Sequence, residues 1–530
     1  MSLQFIFGPS GSGKSYELYQ SVIKESMEHP KQKFLVLVPE QFTMQTQKDL
    51  VAMHPRHGIM NIDVLSFGRL AYRVFEETGG GNLPVLDDEG KNLVLRKIAG
   101  DYEDQLSVLR GNMKKLGYIS EVKSVISEFT QYDIGEEEID QVMEAAGENS
   151  RLYFKLQDLK ILYRGFREYL ESRYITKEEL LDVLSREVER SEMLKNSTVV
   201  LDGFTGFTPV QNRLLLELLK HCRKLCVTVT MDEREDPFAY RHPYQLFALS
   251  KHMVTGLTEL ARQAKTEILT PVYLYGQPVR RFLENPSLAF LERNLFRYRK
   301  NAGEAESTCP GEDQAVGIHV ARNPRAEAMA VAGQIRSLGR KEGYRYREIG
   351  VNVSDMSAYG DYLKQAFEGY EIPVFMDQKK SILLNPFVEY IRSLLSMAEK
   401  NFTAGSVFRF LRTNLSGFTM EETDALENYV IGLGIKGYKG WQERWIRRLK
   451  DTTEEDLEVF NHCRVRLVEK VDGLLYVLKQ RKKTVRDITM ALYEFQAKEE
   501  LQKTLKVQEE VFQERGEQGS ARELATIYRI

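Results

Sequence analysis

The chain has 530 residues, 42% of them hydrophobic and 28% charged, with a formal net charge of −3. This length calls for several domains, and the near-neutral charge gives no bulk attraction to nucleic acid, so any such binding must come from local patches. Cys222, Cys226, Cys309 and Cys463 are too scattered for a disulfide framework, no signal peptide precedes the first apolar run, and no segment has the length of a membrane span, so the expected compartment is the cytoplasm.

The first element is the apolar run Leu3 to Phe7, which reads as a strand. Gly8-Pro9-Ser10-Gly11-Ser12-Gly13-Lys14-Ser15 follows it and fills the pattern G-x-x-x-x-G-K-[ST] at every required position. The residue types suit the chemistry of a nucleoside triphosphate. Glycines let backbone N–H groups curl around phosphate oxygens, Lys14 reaches the terminal phosphates, and the Ser15 hydroxyl sits on Mg²⁺. A helix expected over Ser15 to Glu28 adds its N-terminal dipole to the anion site. Cofactors expected on these grounds are ATP and Mg²⁺.

Phe34 to Pro39 and Ile62 to Ser66 are short continuous apolar runs of the kind buried parallel strands show. Residues 1–80 therefore open an α/β domain. Over 81–196 apolar residues recur at helical spacing, as in Leu152, Leu156, Leu159, Leu162 and Phe166, and this stretch reads as a helical insertion. The strand pattern returns in Ser197-Thr198-Val199-Val200-Leu201-Asp202, so 197–300 completes the first domain. Asp202 ends a strand where a parallel sheet meets its ligand, and it is the candidate second holder of Mg²⁺ beside Ser15. A hydrolytic motor usually has a second carboxylate next, to orient or deprotonate water; here the next residue is Gly203, so hydrolysis is expected to be slow or absent. Cys222 and Cys226 border an apolar strand, and Cys226 reads as a buried strand cysteine because no second Cys/His pair completes a metal site.

Residues 301–315 read as a polar linker. A second α/β segment is expected over 316–384, with strands at Val316 to Val320, Ile349 to Val353 and Ile372 to Phe375 and a helix through Arg325 to Leu338; 385–530 is mostly helical. No phosphate loop marks this second domain.

Arrangement and motifs together resemble a superfamily 1 helicase core: α/β, two RecA-like domains of the phosphate-loop type with large helical insertions. Val38-Pro39-Glu40-Gln41-Phe42-Thr43-Met44-Gln45-Thr46-Gln47, Glu128-Phe129-Thr130-Gln131-Tyr132 and Leu201-Asp202-Gly203-Phe204-Thr205-Gly206-Phe207-Thr208-Pro209-Val210-Gln211 are similar to the AddB family, the B subunits of bacterial ATP-dependent helicase/nucleases. The resemblance implies a heterodimer with a motor subunit, AddA, acting on double-stranded DNA ends and single-stranded DNA in double-strand-break repair, and responding to Chi for homologous recombination. It implies a helicase-like subunit that binds ATP without being the motor. Family members are roughly twice as long and carry a C-terminal 5′→3′ exonuclease domain with four cysteines on a [4Fe-4S] cluster. The cysteines here do not match that spacing, so this sequence reads as the N-terminal part, with nuclease and cluster expected beyond Ile530. Two other readings stay open: an autonomous ATPase (a DNA motor or small-molecule phosphotransferase) with its carboxylate supplied from elsewhere, and an interaction scaffold with a vestigial phosphate loop.

Candidate DNA contacts fall in two places. By the resemblance, Gln41, Thr43 and Gln45 follow the second strand where single-stranded DNA is touched; they equally fit an ordinary polar helix start. Lys436 to Lys450 holds both tryptophans with Lys439, Arg444, Arg447 and Arg448, a composition able to stack bases and neutralise phosphates. Trp441, Trp445 and Leu449 also recur four apart, as the buried stripe of a helix would.

Overall fold

The computed structural model describes residues 1–81, 83–148, 150–297, 315–376, 382–450 and 452–529. They form two compact units, Met1–Ile318 and His319–Ile530. The expected linker over 301–315 lies, apart from residue 315, outside the described residues, as does Cys309.

The first unit is built on a parallel sheet. Its strands are β1 (Ser2–Gly8), β2 (Lys33–Leu37) and β3 (Ile62–Leu65), then, after the pair β4 (Val85–Leu86) and β5 (Ile175–Thr176), β6 (Ser197–Leu201), β7 (Lys224–Thr230), β8 (Glu267–Ile268) and β9 (Val272–Tyr273). The spatial order is β3-β2-β6-β7-β1-β8, with β9 also on β1, and every pairing is parallel. Alternation along each strand sends side chains to opposite faces. Leu3, Phe5 and Phe7 join Leu35, Leu37, Val199, Leu201, Val227 and Val229 in one core, whereas Ile6, Val36, Val200 and Cys226 pack on the other face against Leu18, Val22 and Ile23 of the first helix. Both faces are therefore covered by helices, which explains the unbroken apolar runs.

The helical insertion lies between β3 and β6. Helices Asp88–Asp101, Leu116–Gln131, Glu136–Ala146 and Arg151–Leu170 share a core that includes Leu95, Ile98, Ile126, Leu159, Leu162 and Phe166. β4 and β5 pair at its two ends, Val85 opposite Ile175 and Leu86 opposite Thr176, so a two-residue parallel ladder closes the insertion. These strands are too short to stand out in sequence.

Beyond the sheet of the first unit, the structure corrects the reading of three strands. The segments 316–320, 349–353 and 372–375 are not strands, and among the described residues no strand follows Tyr273. Ile318 and Val320 are about nine-tenths exposed, at 93% and 89%. A β-prone run has no ladder energy without a neighbour, and these runs have none among the described residues. The expected helix is present as Pro324–Lys341 and packs on Met356–Gly369 through Ala328, Ala332, Ile335, Leu363 and Phe367. From Pro386 onward the fold is helical, around a core holding Tyr390, Phe410, Leu426, Trp441 and Leu467.

Candidate nucleotide-binding site

The glycine-rich loop leaves β1 at Gly8 and enters the helix Lys14–Glu28. Gly11 and Gly13 have φ of 82° and 93°, in the left-handed region that glycine adopts without strain. A Cβ on Gly8 would stand 2.4 Å from Ser12 Oγ and 2.9 Å from the Leu274 carbonyl, so the loop turns too tightly there for any side chain. The Ser12 N–H donates to the Pro9 carbonyl at 3.2 Å, and the Lys14 ammonium turns back to the same carbonyl at 2.9 Å. Ser12 Oγ is buried with no hydrogen-bond partner among the described residues. Burial lowers Lys14 to about 8, against the pull of Asp202 and Glu292 and with a further push from Arg281. Burial also raises the nearby Glu292 carboxyl.

Asp202 follows β6, and its N–H donates to the Leu37 carbonyl at 3.1 Å, fixing the carboxylate at the carboxyl edge of the sheet. β6 and β1 are not neighbours; β7 lies between them. The first helix spans that gap. Ser15 Oγ donates to Asp202 Oδ1 at 3.0 Å, and Tyr19 OH, one turn further along, donates to Oδ2 at 2.7 Å. Thr228 of the intervening strand donates its hydroxyl to Oδ1. Asp202 is thus a buried carboxylate with three hydroxyl donors, from two different elements. Burial, with the adjoining Asp202 charge, pushes the Tyr19 phenol far above its ordinary range, so it stays a donor.

The loop opens on a cavity of about 450 Å³ lined by Gly11, Gly13, Lys14, Ser15, Tyr16, Arg280 and Arg281. The two arginines come from the short helical turn Arg280–Phe282, which lies against the loop; the Arg281 N–H donates to the Gly11 carbonyl at 3.2 Å. Sequence reading missed Tyr19, Thr228, Arg280 and Arg281. Only Tyr19 carried a usable signal, since its place four residues after Ser15 puts both on one helix face.

A glycine cradle without room for a Cβ, an orphaned buried hydroxyl, a desolvated ammonium and two exposed guanidiniums form a donor set suited to an anion bearing several phosphate groups. Ser15 and Asp202 supply a hydroxyl and a carboxylate oxygen side by side, the hard ligands Mg²⁺ takes.

The other candidates lie elsewhere. Gln41 is exposed in the turn Glu40–Phe42, Thr43 is buried with its hydroxyl donated to the Glu40 carbonyl at 2.9 Å, and exposed Gln45 donates to Asp49 Oδ1 at 2.8 Å. In the second unit Trp441 and Trp445 are buried and meet edge to face at 5.2 Å, but the helix there is only Tyr438–Gln442. Their burial therefore comes from the chain folding back on itself, with the Trp445 indole N–H donated to the Gly440 carbonyl, rather than from a helical stripe. Lys439, Arg444, Arg447 and Arg448 are exposed, and Arg444 is paired with Glu458. Cys222 and Cys226 are buried free thiols, raised by that burial to about 12 and about 11.

The fold and site define a mixed α/β protein whose polar centre sits at the carboxyl edge of a parallel sheet. The family model described as ADDB, N-terminal, matches residues 5–292. Proteins named as the B subunit of an ATP-dependent helicase/deoxyribonuclease are similar along the whole chain: 42% identical in Lachnoclostridium phytofermentans, 33% in Caldanaerobacter subterraneus subsp. tengcongensis and 30% in Clostridium novyi. The chain belongs to the AddB family. It spans 46%, 46% and 45% of the length of those three relatives, under half in each case.

Proposed function

We propose that this chain is the nucleotide-binding, helicase-like part of a subunit that works with a motor partner, AddA, in a helicase/exonuclease acting on double-stranded DNA ends and the single strands unwound from them. The observation that carries the reading is the 3.0 Å hydrogen bond between Ser15 Oγ and Asp202 Oδ1, which joins two motifs 187 residues apart. Backbone N–H groups of residues 11 to 15 and the Lys14 ammonium bind and orient the phosphates. Ser15 and Asp202 hold Mg²⁺, whose contribution when bound is to neutralise charge on the phosphate oxygens. Tyr19 and Thr228 hold Asp202 in place by donating to its two carboxylate oxygens.

The role is binding rather than turnover. Position 203 is a glycine at φ 80°, so it offers no carboxylate to a water at the terminal phosphate. The names of the relatives, a helicase/deoxyribonuclease that depends on ATP, support the assignment to DNA processing. The family resemblance extends it to repair by homologous recombination and a response to Chi, with a nuclease domain and its iron–sulfur cluster in the part of those proteins outside this chain. No helix among the described residues is long and apolar enough to cross a membrane.

The test is ATP turnover by the purified chain with and without forked DNA, beside equilibrium binding of a non-hydrolysable ATP analogue. Analogue binding that Lys14→Ala abolishes, with negligible turnover, is the expected result. DNA-stimulated turnover lost in Lys14→Ala would instead make the chain a motor.

A further inference from the structure

Three cations converge on the cavity above the glycine loop, and only one of them belongs to the loop motif. Lys14 is the motif's own; Arg280 and Arg281 arrive from a turn some 265 residues later in the chain. Their neighbourhood shows how this protein treats an arginine it uses structurally. Arg234 and Arg297 both reach the buried Asp232, each at 2.6 Å, and are ion-paired there. Arg280 and Arg281 make no ion pair and no side-chain hydrogen bond among the described residues.

The pair is nevertheless held in position. Val279, at the start of the turn, is buried at 1% exposure, and the Phe282 N–H closes the turn on the Val279 carbonyl at 2.8 Å. The Arg281 N–H is fastened to Gly11 of the loop. A Cβ on Gly11 would stand 3.0 Å from Arg281 Cβ, so the glycine lets the turn sit directly on the loop. The Arg280 guanidinium lies 4.5 Å from the centre of the Tyr16 ring, in the first turn of the phosphate-facing helix. Stacking on an aromatic face leaves the N–H edges of a guanidinium free for an oxygen anion.

We propose that Arg280 and Arg281 bind the phosphate chain of a nucleoside triphosphate within the same compact unit as the glycine loop, from the wall of the cavity they share with Lys14. The inference rests on the nucleotide reading above. A pair of guanidiniums without carboxylate partners among the described residues, ordered by the loop itself, is matched by a ligand with several phosphate groups and poorly by one with a single phosphate. The nucleobase plays no part in this recognition, so inorganic tripolyphosphate is recognised through the same groups.

The experiment measures affinity for a fluorescent non-hydrolysable ATP analogue with Mg²⁺, and competition by tripolyphosphate and by AMP, for the wild-type chain, Lys14→Ala, Arg280→Ala/Arg281→Ala and Arg280→Lys/Arg281→Lys. Both arginines are exposed, so melting temperatures should match the wild type. The double alanine variant is expected to bind the analogue and tripolyphosphate about tenfold or more weaker, with AMP competition unchanged and the lysine pair recovering only part of the loss. Analogue affinity within about twofold of wild type in the double alanine variant, where Lys14→Ala loses binding, overturns the arginine assignment and leaves the nucleotide reading standing. Wild-type binding no stronger than that of Lys14→Ala overturns both.

Discussion

Lys14 is a cation at the edge of losing its charge. Burial brings it to about 8, while a bound phosphate beside it favours the ammonium and raises it again. Between the free and bound values the complex holds a proton that the free chain lacks, so binding takes up a proton there. Affinity for a nucleotide analogue should be level below about pH 7 and fall as pH rises through 8, approaching about tenfold per pH unit. Calorimetric titration in buffers of different ionisation heat checks this directly: net proton uptake at about pH 8.5 and none at about pH 6.5 is the expected pair of results, and equal heats in all buffers at both values would contradict it. In Lys14→Arg the dependence should vanish, because a guanidinium stays charged throughout. The loop and Asp202 were legible in sequence because each follows a strand and each has a residue type fixed by its chemistry. Tyr19, Thr228 and the two arginines were not, because a hydroxyl or guanidinium has no spacing signature when its partner is on another element. At Thr43 the polar residue is buried and already bonded to Glu40, a state that no sequence pattern distinguishes from an exposed one.

Among the elements, β1, β2, β3 and β6 were legible because they are short unbroken apolar runs, and the structure moves their ends by only a residue or two, whereas the two-residue strands β8 and β9 were not. The closure of the helical insertion was not legible. Besides the two-residue ladder of β4 and β5, it depends on Lys91, whose side chain is 2% exposed and whose ammonium donates to Glu178 at 2.7 and 2.9 Å and to Ser127 Oγ at 3.3 Å. One cation thereby ties helix Asp88–Asp101 to helix Leu116–Gln131 and to the chain just beyond β5. Lys91→Ala would leave a cavity, and a carboxylate without its partner in a mostly dry setting. The expected cost is about 3 kcal/mol, toward the low end for broken buried pairs because Glu178 keeps some contact with water. Hydrogen exchange should show that loss in the insertion helices while the β1, β6 and β7 amides keep their protection. Equal loss in the sheet would mean that insertion and sheet unfold together. The apolar runs after residue 315 mark the limit of this kind of reading: 316–320 has the composition of a strand, yet a strand is a property of a pair, and sequence reports only one member.

At the scale of the whole chain, the separation into Met1–Ile318 and His319–Ile530 follows the cores. The sheet and insertion clusters draw only on residues before 319, and the two clusters of the second unit only on residues after it. Each unit thus buries its own apolar surface, the condition for cooperative unfolding on its own. Every group assigned to phosphate or Mg²⁺, from Gly8 to Arg281, lies in the first unit. A ligand stabilises only the state that binds it, by about 2.7 kcal/mol at one hundred times its dissociation constant. Spread over the unfolding entropy of a unit of this size, that is a rise of about 4 °C in one transition. Scanning calorimetry of the chain should therefore resolve two transitions, of which a non-hydrolysable ATP analogue with Mg²⁺ moves one by about that amount and leaves the other in place. Lys14→Ala should cancel the shift, and Asp202→Asn should reduce it more with Mg²⁺ present than with EDTA, because on the proposed reading the carboxylate would act on the phosphates chiefly through the metal. A single transition, or a ligand shift of equal size in both, would mean that nucleotide is felt across the whole chain, and the binding energy of the first unit would then be available to the helical second unit as well.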